Sequence, residues 1–270
     1  MLYRGMDKAA LDAAYNTAAA AGPERRDRII ADWTQRSAAL GAKTEVRRDL
    51  RYGEGARHRL DIYRCGRAKA PLLVFIHGGY WQFSDKETYA FLAAGPLAHG
   101  VDVAIPEYTL APAATIDAIV AEMRRALAYL RAEVCQSFVV SGHSAGGHLA
   151  TMTMDAPGVA GVVAVSGLYD LEPIRLSYLN DKLGIDEATA RRNSPLHHIA
   201  TAGPPVTVAW GAAELSELCR QSAEYCDALV AAGRASTRLV LDGQDHYGVL
   251  EEFANREGKL TAAVRALAGR

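Results

Sequence analysis

The stretch VVSGHSAGGHLA, residues 139–150, sets Ser144 between Gly142 and Gly146, just after an apolar run and just before a helix-like segment. Glycine weakens both helix and strand interiors, so a Gly-x-Ser-x-Gly cluster must serve a backbone geometry. A strand turning sharply into a helix needs that geometry. In this context Gly142-His143-Ser144-Ala145-Gly146 reads as a nucleophile elbow. The turn is expected to be strained. The Ser144 hydroxyl should be exposed on it, with the Ala145 N–H aimed at a developing oxyanion.

Working outward, strand-like and helix-like segments alternate. Leu72 to Ile76 is continuously apolar, as a strand buried on both faces should be. Arg57–Tyr63, Val101–Ile105, Ser137–Ser141, Val159–Val165, Pro205–Trp210 and Thr237–Leu241 read as further strands. Thr115 to Ala132 carries Ile116, Ile119, Val120, Met123, Leu127 and Leu130 at helical spacing. Helices are also expected over about 217–232, with Ser216 as N-cap, and over about 247–267. This alternation predicts an α/β fold, an open and mostly parallel sheet with helices on both faces. Sites in such sheets lie at the carboxyl ends of the strands.

Composition narrows the function. The chain has 270 residues, half of them apolar, which suits a single domain over 1–270. A net charge of −1 provides no field to gather nucleic acid or anionic lipid. No apolar run reaches the ~18 residues of a membrane span, and the N-terminus lacks a signal-peptide core. The scattered cysteines Cys65, Cys135, Cys219 and Cys226 fit reduced thiols in a cytoplasmic protein, and no paired spacing suggests a metal. Residues 6–40 read as one or two helices broken near Gly22-Pro23. This amphipathic segment can cover a pocket, pack on the sheet or form a homodimer contact, and packing is the expectation. A polar stretch within about 170–195 reads as a short cap insertion.

Three further features accompany Ser144. His77-Gly78-Gly79 follows the Leu72–Ile76 strand, where a glycine pair can turn its N–H groups toward a carbonyl oxygen. Gly78, Gly79 and Ala145 are therefore the expected oxyanion hole, and His77 is expected to order the loop. His246, after the last strand, is the expected base, because a serine hydroxyl needs an imidazole to take its proton. His143 and His148 lie beside Ser144 but should be turned elsewhere by the elbow, and His197 and His198 could line the site. His58 and His99 read as surface residues. Glu214, after Val206–Trp210, completes the order Ser, acid, His, and is the expected orienting acid. Glu217 is its rival, read instead as a first-turn helix residue, and Asp242 and Asp245 remain further alternatives.

With these pieces in place the chain resembles the α/β-hydrolase superfamily, and within it the kynurenine formamidase (arylformamidase) and related carboxylesterase branch. His77-Gly78-Gly79-Tyr80-Trp81-Gln82, Gly142 to Leu149 and Arg220-Gln221-Ser222 carry the resemblance, which spans about residue 50 to the end. Glu214 stands where many relatives have aspartate. Pro106 to Pro112 is similar to a Tyr-Arg-Leu-Ala-Pro segment of the hormone-sensitive-lipase relatives, with Thr109 in place of arginine.

The resemblance implies a serine hydrolase, needing no metal or organic cofactor, acting on an arylformamide like N-formylkynurenine. A short-chain carboxylesterase is the alternative, and a non-catalytic ligand-binding version of the fold is a minor one. Tyr80, Trp81, Phe83, Tyr169 and Tyr247 are expected to line an aromatic pocket for a small ester or amide.

Overall fold

The computed structural model describes residues 2–269. Eight strands form one sheet: β1 Glu45–Arg51, β2 Arg59–Arg64, β3 Leu72–Ile76, β4 Asp102–Pro106, β5 Phe138–His143, β6 Val159–Val165, β7 Val206–Gly211 and β8 Ser236–Leu241. Their order is β1-β2-β4-β3-β5-β6-β7-β8. The β1–β2 and β2–β4 pairs are antiparallel, and every pairing from β4 to β8 is parallel. This is the mostly parallel α/β-hydrolase architecture that the resemblance implies.

The apolar run in β3 now has its reason. Leu72, Val74 and Ile76 pack into one core layer, while Leu73 and Phe75 pack into the other. Side chains alternate across a strand, so a strand covered on both faces must be apolar at every position. One layer holds the Ile116–Glu133 and Ser216–Ala231 helices, the other the Lys259–Ala268 helix and Trp33.

The order reverses around β3, and β3 and β5 are parallel neighbours, Ile76 standing beside Gly142. The loop after β3 and the turn after β5 therefore leave the sheet side by side, at a topological switch point.

Several boundaries differ from the sequence reading. β1 was not anticipated: its residues are mostly exposed and charged, with no apolar run to betray it. A charged edge strand is how sheets avoid edge-to-edge association. The segment expected as one helix over 247–267 is three pieces: Gly248–Leu250, Glu251–Ala254 and Lys259–Ala268. Gly258 explains the break, since a Cβ there would sit 2.0 Å from the Glu252 carbonyl oxygen. Leu215, not Ser216, is the N-cap of the Ser216–Ala231 helix. Residues 6–40 hold three helices, Lys8–Ala14, Thr17–Ala21 and Pro23–Lys43, the last running past the expected end. Among the described residues no helix is long and apolar enough to cross a membrane.

Candidate active site

Ser144 sits between β5 and the Ala145–Met152 helix at φ 58° and ψ −120°, a left-handed backbone that an L-residue adopts only under strain. The turn is this tight because strand and helix nearly touch. A Cβ on Gly142 would stand 2.1 Å from the Gly146 carbonyl oxygen, so no larger residue fits. No side chain caps the helix. Its first N–H groups, Ala145 among them, lack a partner within the helix and carry the positive end of its dipole.

The loop after β3 lies against this turn. A Cβ on Gly78 would come within 3.2 Å of Ser144 Cβ. Among the described residues, Gly78 and Gly79 donate their N–H groups to no protein acceptor.

Buried groups hold the loop from behind. His77 is fully buried, with Nε2 2.9 Å from Glu107 Oε1 and Nδ1 2.8 Å from the Gly78 carbonyl oxygen. The Tyr108 ring stacks on His77 at 4.3 Å, and its hydroxyl donates to the His77 carbonyl at 3.1 Å. Arg57 Nη2 donates to Glu107 Oε1 at 2.6 Å. Ordering the loop, as expected from the sequence, is what these contacts do for His77.

Burial pushes the Glu107 carboxyl upward, but the hydrogen bond and charge of His77, with Arg57, hold it below its ordinary 4.5. A depressed carboxyl contributes stability that is fully present above its unfolded value and is lost as pH falls through the folded one. Glu107→Gln is therefore expected to lower stability by roughly 1–3 kcal/mol at pH 7. The gap between variant and parent should narrow below pH ~4.5, as the parent loses the charge the variant never had. Melting temperatures at pH 7 and at pH 4 check this.

His246 is 8 % exposed, and its Nδ1 lies 2.7 Å from Glu214 Oε2. The Glu214 side chain is fully buried. Its other oxygen accepts from Ser166 Oγ at 2.5 Å and from the Gly211 N–H at 2.7 Å. An ionised carboxylate only accepts, so the imidazole proton sits on Nδ1 and Nε2 is left as the acceptor.

The rival acids are engaged elsewhere. Glu217 accepts from Tyr15 Oη at 3.1 Å and pairs with Arg220, Asp245 caps the Gly248 N–H at 2.8 Å and pairs with Arg25, and Asp242 is exposed.

Ser166 was missed by sequence reading. Its signal was a serine at the carboxyl end of β6, where sites of this fold gather. Like Ser144 it has positive φ, 49°.

Ser144 is buried rather than exposed as expected, because the loop after β3 and the N-terminal helices close over the turn, and it shares with His246 one cleft of about 740 Å³, counted to its open mouth. Gly79, Tyr80, Phe83 and Tyr247 line it too. Phe83 is an exposed rim residue, and Tyr80 is buried with its hydroxyl donating to the Tyr15 carbonyl at 2.6 Å.

Trp81 and Tyr169 are corrections: neither lines the cleft. Trp81 is fully buried edge-on against His148, and Tyr169 is buried in a stack on Tyr225 at 4.2 Å. Aromatics this large gain more from complete burial in a core than from a half-open wall.

The histidines also sort differently. His148 is turned away, Nε2 meeting the Asn193 carbonyl at 2.8 Å, as expected. His143 is not: its ring lies 4.4 Å from His246 and lines the cleft. Burial, and then the neighbouring His246 ring, hold its pKa well below the ordinary 6.5, so it is a neutral wall. His197 and His198 line other depressions, away from Ser144. His58 is half-buried and 3.1 Å from Glu122 rather than on the surface.

The N-terminal segment supplies a wall. Thr17, Ala18, Arg26, Ile30 and Trp33 all line the cleft. Packing was expected of this segment. It does pack, and by packing it also covers the site. Tyr178 and Leu179, within the polar stretch after β6, close another side, and Gln82 Nε2 ties the loop after β3 to the Leu179 carbonyl at 2.9 Å.

Comparison with known proteins gives the family. The chain is 32 % identical over 244 residues to the kynurenine formamidase of Danio rerio, covering 84 % of this chain and 83 % of that one. The chain belongs to the kynurenine formamidase family. The Salmo salar enzyme of the same name is 32 % identical over 238 residues, covering 81 % of each chain. Residues 60–160 match the family described as BD-FAE. A crystal structure from Silicibacter sp. TM1040, described as a candidate thioesterase, superposes with a TM-score of 0.88 at 30 % identity, covering 94 % of this chain and 98 % of that one. The family and its esterase relatives make this protein a hydrolase.

Proposed function

We propose that the protein is an arylformamidase, removing the formyl group from an aryl amine such as N-formylkynurenine through an acyl-enzyme. The observation that carries this reading is the Glu214–His246 pair, 2.7 Å apart, at the same cleft as a strained Ser144. The kynurenine formamidase relatives support the substrate class.

Ser144 Oγ attacks the formyl carbon while His246 Nε2 accepts its proton. Glu214 keeps the imidazole in the productive tautomer and stabilises its cation. The N–H groups of Gly78, Gly79 and Ala145 stabilise the oxyanion, by roughly 3 kcal/mol each. His246 then gives its proton to the leaving aryl amine. Water activated by the same ring releases formate and restores Ser144.

The thioesterase description of the Silicibacter relative favours a second reading, a short-chain carboxylesterase or thioesterase. The two are separated by turnover of N-formylkynurenine against p-nitrophenyl acetate by the purified protein. The arylformamidase reading predicts a kcat/KM for the formamide at least ~10-fold above that for the ester. Since 1.36 kcal/mol separates each decade, such a ratio reports a real difference in transition-state binding. Ester turnover with no formamide turnover contradicts it.

A further inference from the structure

The charge lining the cleft is lopsided. Among the described residues, Arg26 is the one side chain there with a fixed charge, and no aspartate or glutamate lines it. The two histidines do not alter that balance. His143 is held neutral, and His246 is occupied with Glu214.

Arg26 lies in the first turn of the Pro23–Lys43 helix, and Ile30 and Trp33, four and seven residues on, line the cleft with it. That spacing puts all three on one helical face. The helix is anchored without Arg26. Arg25 pairs with Asp245 at 2.6 Å, Arg36 donates to both Glu251 oxygens at 2.9 and 2.8 Å, and Trp33 Nε1 meets Glu251 at 3.1 Å. Among the described residues, Arg26 by contrast has only its exposed neighbour Asp27 as a side-chain partner, at 3.3 Å. A pair of that kind, in water, contributes little. Most donors of the Arg26 fork are therefore available, and a planar guanidinium with spare donors suits a carboxylate held by two parallel hydrogen bonds.

We propose that Arg26 is a specificity residue that binds a carboxylate on the substrate, so that the cleft selects aryl formamides carrying an acid group. The inference rests on the arylformamidase reading above and goes further. It states that the acid group of an amino-acid side arm is recognised and its ammonium group is not. The acids in the adjoining depression, Glu214 and Asp245, are already taken by His246 and Arg25, so among the described residues the cleft wall itself offers a positive charge no acidic partner.

The test compares the protein with its Arg26→Gln and Arg26→Lys variants on three formamides. These are N-formylkynurenine, its analogue lacking the α-amino group, and formanilide, which has no acid. The proposal predicts that the parent hydrolyses the first two with kcat/KM values within about 3-fold of one another, the ammonium contributing little. Arg26→Gln should lower kcat/KM for both by roughly 10- to 100-fold, the range of a hydrogen bond to a charged group, mostly through KM. Formanilide turnover should fall far less, by under about 3-fold, because only a weak wall contact is lost, and Arg26→Lys should recover part of the loss on the acids.

An unchanged kcat/KM for N-formylkynurenine in Arg26→Gln overturns the inference while the arylformamidase reading stands. An equal fall on formanilide also overturns it, because a merely structural role would do that. A parent that discriminates strongly against the deaminated analogue removes the claim about the ammonium group. If the parent hydrolyses none of the formamides, the arylformamidase reading itself fails and takes the inference with it.

Discussion

Ser144→Ala is expected to lower kcat by about 10⁴- to 10⁶-fold, the range seen when a hydrolase nucleophile is removed. By transition-state arithmetic that is about 5–8 kcal/mol of lost stabilisation. KM should change little, because the cleft walls and the N–H groups of Gly78, Gly79 and Ala145 remain. Misfolding can be excluded as the cause by a companion variant. Ser144 holds φ 58°, so Ser144→Gly removes the Cβ that makes this conformation costly. That variant should be as inactive as Ser144→Ala and yet more stable than the parent, by about 1–3 kcal/mol. Steady-state kinetics and melting curves on the three proteins check both halves. A Ser144→Ala protein retaining a tenth of the parent activity would remove Ser144 from the chemistry.

The second large effect belongs to Glu214. Its carboxylate receives three donors: Ser166 Oγ, the Gly211 N–H and His246 Nδ1. A glutamine in its place has one accepting oxygen. Ser166 and Gly211 both need the oxygen they now share, so the amide nitrogen must face His246. Nδ1 then has to accept, and the proton moves to Nε2, the atom that should take the serine proton. Glu214→Gln is therefore expected to reduce kcat by about 10⁴-fold with little change in shape or stability. Ser166→Ala should have a much smaller effect, because it removes one donor and leaves the tautomer intact. If Glu214→Gln and Ser166→Ala proved equally mild, Glu214 would be a structural acid and the orienting group would lie elsewhere.

How much of this could be read from the sequence depended on how local the cause was. Ser144, Glu214 and His246 each follow a strand, and the order Ser, acid, His with glycines around the first is a chain-local pattern. The structure brings Glu214 and His246 into contact and sets His246 at one cleft with Ser144. β3 was legible because burial on both faces forces an unbroken apolar run.

The failures share a different cause. β1 is polar because it forms a sheet edge, a property of its neighbours and not of its own residues. Trp81 and Tyr169 looked like pocket residues because aromatic type does not reveal which way a side chain turns. His143 was misjudged for a related reason: on so tight an elbow the residue before the serine also faces the cleft. Most tellingly, Arg26, Ile30 and Trp33 reach the site from a segment more than a hundred residues from Ser144. Nothing local marks them, since their position follows from how Arg25, Arg36 and Trp33 dock on Asp245 and Glu251.

The central claim is that Ser144, activated by His246, forms the covalent intermediate. It is tested most directly by treating the protein with a fluorophosphonate and locating the adduct by mass spectrometry. The account predicts one adduct per chain, carried by the peptide containing Ser144, with activity lost in proportion to labelling. Labelling should be absent in Ser144→Ala and strongly slowed in His246→Ala. An active protein that takes up no label, or takes it up at another residue while Ser144 stays unmodified, would contradict the account.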